Sequence, residues 1–322
     1  MDYSRNVKFM QVPVVGAEEF IKEWVKQKMG IITKILEAVK GLSKRQVALY
    51  LLRKAGHGCR VIYYLRTTPR ELIPGFVTEF DGELRDALQS VLGLVLDDKQ
   101  WEQASFAVKQ SGLGLTRAGD VADAAYIASR DSTFDDCKSI DTGHVWDDGS
   151  PREGDAADVI GEWLHGCVSR LNASLPAHHE IVRGAKPSNL GKQKDIMGRV
   201  NKYRRDAMLA SVEMWDKARL EAAAASHSGS WLDAVPSQVL DTQLSNAEVQ
   251  YGVGRRLGVQ LCSEGPCPFC LGVMDRWGAH CESCMSGGTR QSIIIISGML
   301  YTHRRGARAQ RLSWKPLVSL VS

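Results

Sequence analysis

The chain lacks any long apolar run. Towards its C-terminus the longest purely aliphatic stretch is Ile293–Ile296, four residues, where a bilayer span needs about 20. No membrane association is expected. An apolar leader is missing too: MDYSRNVKFMQVPVVGAEEF holds no long hydrophobic region, so a nuclear or cytoplasmic chain is expected. Acid is absent from Met285 to Ser322, which carry six Lys/Arg and no Asp or Glu. A carboxylate-built metal nuclease therefore cannot be assembled from that stretch. There is no internal repeat and little polar–apolar alternation before residue 290. QSIIIIS is the one β-like run.

What is present reads as a globular, mainly α protein. The 322 residues are 44% hydrophobic and 24% charged, too apolar for wholesale disorder. At about 100–200 residues per domain, two domains are expected. The net charge of +4 decides little, but its distribution is uneven. Acids crowd Asp120–Asp158, and residues 183–219 hold ten Lys/Arg against four acids. That asymmetry suggests a polyanion partner for the second half, or a solvated helical face.

Helical spacing covers residues 17–39, with acids in the first turn. A second helix is expected from Lys44 to about Leu65, with Ser43 as N-cap and Gly56 and Gly58 weakening its middle. Pro69 stops it. Glu83–Leu94 and Lys99–Val108 follow, then a packing turn at 111–115. Asp120–Arg130 reads as a small-residue helix suited to close packing, and 131–155 as an acidic loop or joint. Helices resume at Ala156–Leu171 and, long and basic, at Lys192–Ala225. Trp231–Val235 is a short segment. Ser245, with Glu248 three residues on, opens a helix to Leu257 with a capping box.

The strongest chemical signal is CPFCLGVMDRWGAHCESC. Five of the eight cysteines, Cys262, Cys267, Cys270, Cys281 and Cys284, lie within 23 residues. Such clustering in a chain without a leader reads as metal binding rather than a disulfide framework. Zinc takes four N/S ligands in a tetrahedron, commonly as two pairs on a short loop. Two sets fit: Cys267, Cys270, His280 and Cys284, or the same cysteines with Cys281 in place of His280. Four protein ligands close a zinc site, which makes it structural. The folded module would present Arg255, Arg256, Arg276, Arg290, Arg304 and Arg305. Trp277 either stacks on a base or fills the small core under the knuckle.

Other constellations are weaker. Asp97-Asp98 and Asp147-Asp148 resemble a polymerase metal pair, yet they sit in a helical pattern and a polar loop. A polymerase would need Asp97, Asp98 and a third carboxylate to converge. His178-His179-Glu180 lacks the helical His-Glu-x-x-His spacing. His57 and Cys59, two apart on a helix, point away from each other. Gly112-x-Gly114 lacks the rest of a dinucleotide fingerprint.

VALYLLRKAGHGCRVIYYLRTTP, with Cys59, Arg60, Tyr63 or Tyr64, Arg66 and Pro69, resembles the segment that follows the polymerase palm in open reading frames of the non-LTR-retrotransposon type. DDKQWEQASFAVKQSGLGLTRAGDVADAAYIAS, with Trp101, Gln103, Gly112, Gly114 and Tyr126, is similar to the next block. SWLDAVPS is similar to a third, and the cysteine block to a fourth. The resemblance runs through most of the chain in the same order. It implies a thumb-like region over residues 1–70, His280 as the third metal ligand, and a partner that is DNA or RNA, as duplex or primer–template. There are departures. The palm with its paired aspartates would precede Met1. An Arg-His-Asn expected after the zinc block is replaced by Thr289-Arg290-Gln291-Ser292-Ile293.

The expected layout is a helical thumb-like domain over 1–130, the joint over 131–155, a helical region with a basic helix over 156–258, a zinc module over 259–290, and a basic tail over 291–322. The expected function is non-catalytic nucleic-acid binding with structural Zn2+. Phosphates would be held by Lys192, Lys194, Arg199, Lys202, Arg204, Arg205, Arg255, Arg256, Arg290, Arg304 and Arg305. A zinc-stabilised protein-interaction adaptor and a decayed retroelement remnant are the alternatives.

Overall fold

A computed structural model describes residues 7–9, 12–15, 18–54, 57–144, 146, 156–175, 181, 191–261, 263–267 and 270–284, with backbone alone at 7–9, 14–15, 57–60, 74, 156–162 and 281. The fold is mainly helical. In chain order the elements are β1 (Val7–Phe9), β2 (Val12–Val15), α1 (Glu18–Lys40), α2 (Arg45–Lys54), α3 (His57–Thr67), α4 (Pro74–Leu92), α5 (Asp98–Ser105), α6 (Ala118–Ile140) and α7 (Ala156–Asn172). They continue with α8 (Gln193–Ser211), α9 (Met214–Ala224), α10 (Ser230–Asp233), α11 (Asn246–Leu257), β3 (Gly265–Pro266), β4 (Val273–Met274) and α12 (Ala279–Ser283). No helix among the described residues is long and apolar enough to cross a membrane.

The elements group into two compact units that interleave along the chain. One comprises Met1–Glu37, Ala55–Leu84 and Thr116–Met208; the other comprises Ala38–Lys54, Arg85–Leu115 and Leu209–Ser322. Sequence shows where apolar stripes lie but not which stripes share a core, and here segments distant in sequence share each one.

The first unit is built on an aromatic cluster. Trp24 meets Tyr64 edge-on at 5.2 Å, and Phe76 lies 5.8 Å from both. Helix α6 packs against α3 and α7. Ala124 and Ala125 are fully buried, so backbones approach closely, as the small-residue pattern implied. Phe134, Leu164, Val168, Leu171, Ile196 and Val200 complete this core. The Asp81 carboxylate accepts the N–H groups of Ala118 (2.6 Å) and Gly119 (2.9 Å), satisfying the otherwise orphaned first turn of α6.

In the second unit α11 contacts α2, α5 and α9. Its Ser245/Glu248 capping box is present as expected. The 106–115 segment is a tight crossing: a Cβ on Gly112 would lie 2.0 Å from the Phe106 carbonyl oxygen, so only glycine fits there. The carbonyls of that segment are met by buried side chains. Arg256 donates to Gly112 O (2.9 Å) and Val108 O (2.5 Å), Gln103 donates to Ser111 O (2.9 Å), and Arg53 donates to Leu113 O.

Several boundaries differ from expectation. The Lys44–Leu65 helix is two helices, α2 and α3; two glycines costing about 1 kcal/mol each in a helix interior favour that division. Ser43 does not cap α2. Asn246 Oδ1 accepts the Arg45 N–H instead (2.9 Å), a cap supplied across the fold. Helix α4 begins at Pro74, not Glu83, since proline is tolerated in a first turn. Helix α6 runs to Ile140, so 131–140 is helical rather than loop. Buried Phe134 anchors it, and Ser132 and Thr133 return their hydroxyls to Ser129 O at 2.8 and 3.1 Å. The Lys192–Ala225 helix is interrupted between α8 and α9, where Glu213 is extended. The β1–β2 hairpin was not foreseen. The QSIIIIS run lies outside the described residues.

Candidate metal centre

The short ribbon of β3 and β4 pairs Gly265 with Met274 and Pro266 with Val273. It folds the Cys-x-x-Cys segment into a knuckle. The Cys267 N–H donates to Gly272 O (2.7 Å) and the Leu271 N–H to Cys267 O (2.9 Å). Leu271 sits at φ 59°, a left-handed conformation that costs a non-glycine residue about 1–2 kcal/mol. A Cβ on Gly272 would come within 2.9 Å of the His280 ring, so the knuckle and α12 close on each other only with glycine at that position.

Helix α12 supplies the second ligand pair. The Asp275 carboxylate accepts the N–H groups of Trp277 (3.0 Å), Ala279 (3.1 Å) and His280 (2.8 Å), which fixes the start of this short helix. Burial pushes the Asp275 carboxyl up, but those backbone donors outweigh it and hold it below the usual carboxylate value. Helix α11 clamps the module from behind. Tyr251 donates its hydroxyl to Gly278 O (3.1 Å), and Arg255 grips Glu282 through two nitrogens at 2.9 and 3.1 Å.

Four ligand atoms converge. Those of Cys267, Cys270, His280 and Cys284 all lie within 4.8 Å of one another. The Sγ atoms of Cys267 and Cys284 are 3.8 Å apart, those of Cys270 and Cys284 3.7 Å, and Cys270 Sγ is 3.2 Å from His280 Nε2. A disulfide needs about 2.05 Å. Zinc–sulfur bonds of about 2.3 Å at tetrahedral angles place sulfurs about 3.8 Å apart, and a zinc–nitrogen bond of about 2.0 Å places sulfur and nitrogen about 3.5 Å apart. The sulfur spacings are those of a tetrahedron of zinc's size, and the Cys3His cluster can hold a metal such as zinc. Cys267 and Cys284 are buried and Cys270 is exposed, so one edge faces solvent. The side chain of Cys281 and all of Cys262 lie outside the described residues.

Among the described residues this is the only group of three or more His, Cys, Asp or Glu side chains close enough to share an ion. Asp97 caps α5, accepting from Gln100 N (2.8 Å), and Asp98 pairs with Arg85 (2.7 Å); among the described residues no third carboxylate joins them in a metal-sized group. Asp147, Asp148, His178, His179 and Glu180 lie outside the described residues, as do the side chains of His57 and Cys59. Gly112 and Gly114 form a packing turn.

The basic residues singled out from the sequence fall into distinct settings. Lys192, Lys194 and Lys202 are exposed on and beside α8, and Arg199 and Arg205 are half-buried there. Arg204 pairs with Asp120 at 2.9 Å. Arg255 holds Glu282, and Arg256 is buried against backbone carbonyls. Arg276 pairs with Glu264 at 2.8 Å. Arg290, Arg304 and Arg305 lie outside the described residues. Trp277, expected either in a small core or on a base, stacks on Trp215 at 4.2 Å with 30° between rings. Sequence reasoning missed Trp215, Tyr251 and Glu282; no local pattern marks them, because their partners are remote in the chain.

No protein-family model, curated protein or solved structure matches the chain.

Proposed function

We propose that the chain is a non-catalytic nucleic-acid-binding protein whose C-terminal module is folded by one structural zinc ion, and that it derives from the thumb, linker and zinc part of a non-LTR-retrotransposon-type reverse transcriptase. The observation that carries the zinc assignment is the Cys3His geometry, with its sulfur–sulfur distances of 3.7 and 3.8 Å. Cys267, Cys270, His280 and Cys284 hold the ion, which supplies folding energy rather than reactivity, because four protein ligands leave no open position. Support for a polyanion partner comes from α8, where Lys194 and Lys202 are exposed and placed to neutralise phosphates without reading bases.

Metal analysis of wild type beside Cys270→Ser, with binding to a primer–template duplex at 50 and 200 mM salt, tests this reading. It expects about one zinc per chain, lost in the variant. It also expects duplex affinity that falls steeply with salt and is weakened by Lys194→Glu/Lys202→Glu. Zinc without any salt-sensitive binding favours the second reading, a protein-interaction adaptor. One observation speaks for that reading: Leu271 and Val273 on the knuckle are each 80% exposed.

A further inference from the structure

A cavity of about 340 Å3 opens in the second unit between α9, α10 and α11, beside the Cys3His module. Its aromatic lining is Trp215, Trp231 and Tyr251, and three arginines, Arg219, Arg255 and Arg256, line it as well, together with Glu282. Ala218 and Ala222 leave one side low.

The charges are not balanced. Arg219 has Asp216 at 2.8 Å and Arg255 has Glu282. Arg256, only 6% exposed, bonds to the carbonyls of Gly112 and Val108 and has no carboxylate partner among the described residues. Burial, with Arg53 and Arg219 close by, brings its guanidinium down to about 10. Such a buried positive charge without a counter-ion is costly. That uncompensated charge calls for an anion. The aromatic lining calls for a flat ring, since indole faces stack on any nucleobase and guanidinium forks match phosphate oxygens.

We infer that this cavity binds one nucleotide, its base against Trp215 and its phosphate against the arginine-lined wall. The inference rests on the nucleic-acid reading above for its source, an unpaired nucleotide of a bound strand, and a free mononucleotide offers the same chemistry. Trp215 belongs to the stack with Trp277, so base binding and the metal-bearing module meet in one unit.

Calorimetry on the full, zinc-loaded chain with dAMP, a ten-residue oligodeoxyadenylate and inorganic phosphate tests it. Expected are binding of dAMP and oligonucleotide at one shared site, competition between them, and much weaker binding of phosphate. Trp215→Leu should weaken both ligands about tenfold. Ala218→Phe, at an exposed helical position where folding tolerates the change, should abolish both by filling the cavity. Binding of dAMP without competition by the oligonucleotide overturns the strand as source and assigns a free nucleotide. No binding of either ligand, equal binding of phosphate, or unchanged affinity in Ala218→Phe overturns the inference. Duplex binding that stays sensitive to Lys194 and Lys202 in that last case leaves the nucleic-acid reading standing.

Discussion

Leu271 and Gly112 show how single backbone positions govern this chain. Leu271 holds a left-handed conformation in the knuckle while its side chain is 80% exposed. It suffers the strain and buries little in return. Leu271→Gly should therefore stabilise the zinc-loaded protein by about 1 kcal/mol, read as a higher midpoint in thermal unfolding; an unchanged or lower midpoint contradicts the conformational argument. Gly112 is the opposite case. With Phe106 O only 2.0 Å from the position of a Cβ, Gly112→Ala must shift backbone, and a loss of about 3 kcal/mol in urea unfolding is expected. The same loop relies on Arg53, Gln103 and Arg256 to satisfy its carbonyls, so its disruption should spread to α11.

At the scale of elements, α6 carries the clearest pH dependence. Asp120 lies near its start, between Arg117, whose two nitrogens reach the carboxylate at 2.6 and 2.7 Å, and Arg204 at 2.9 Å. Burial alone would raise its pKa, but the two arginines outweigh it and hold the carboxyl below its ordinary 3.8. A carboxyl depressed on folding contributes stability that is present above the unfolded value and lost as pH falls through the folded one. Stability should thus decline in acid, and Asp120→Asn should flatten that part of the profile while costing stability at pH 7. Equal acid slopes in the two proteins would exclude Asp120 as a source.

Much at this scale was legible in the sequence. The capping box of α11 and the small-residue face of α6 are local signals with local causes, and both are in place. What was not legible has tertiary causes. Asn246 capping α2 from a helix some two hundred residues away leaves no mark near Ser43. The extension of α6 through acidic, hydroxyl-rich residues depends on Phe134 finding a core. In the metal module, cysteine spacing gave the ligands' neighbourhood but left His280 and Cys281 open. Convergence of His280 Nε2 on Cys270 Sγ at 3.2 Å is a property of how α12 starts at Asp275, which spacing does not express.

On the scale of the whole molecule, the proposed polyanion binding rests on the exposed lysines of α8. Lys192, Lys194 and Lys202 are exposed, whereas Arg204, Arg255 and Arg256 are engaged inside their own units. Replacing Lys194 and Lys202 together by Glu should reduce the slope of log affinity against log salt by about 2 on a duplex, if each meets one phosphate, without lowering thermal stability. The metal itself offers the most direct test. Zinc should be measured per mole of purified chain, wild type beside His280→Ala and Cys281→Ser. About one zinc is expected in wild type and in Cys281→Ser, with its loss in His280→Ala. A metal-free wild type, or zinc kept without His280 and lost without Cys281, would contradict the Cys3His zinc assignment.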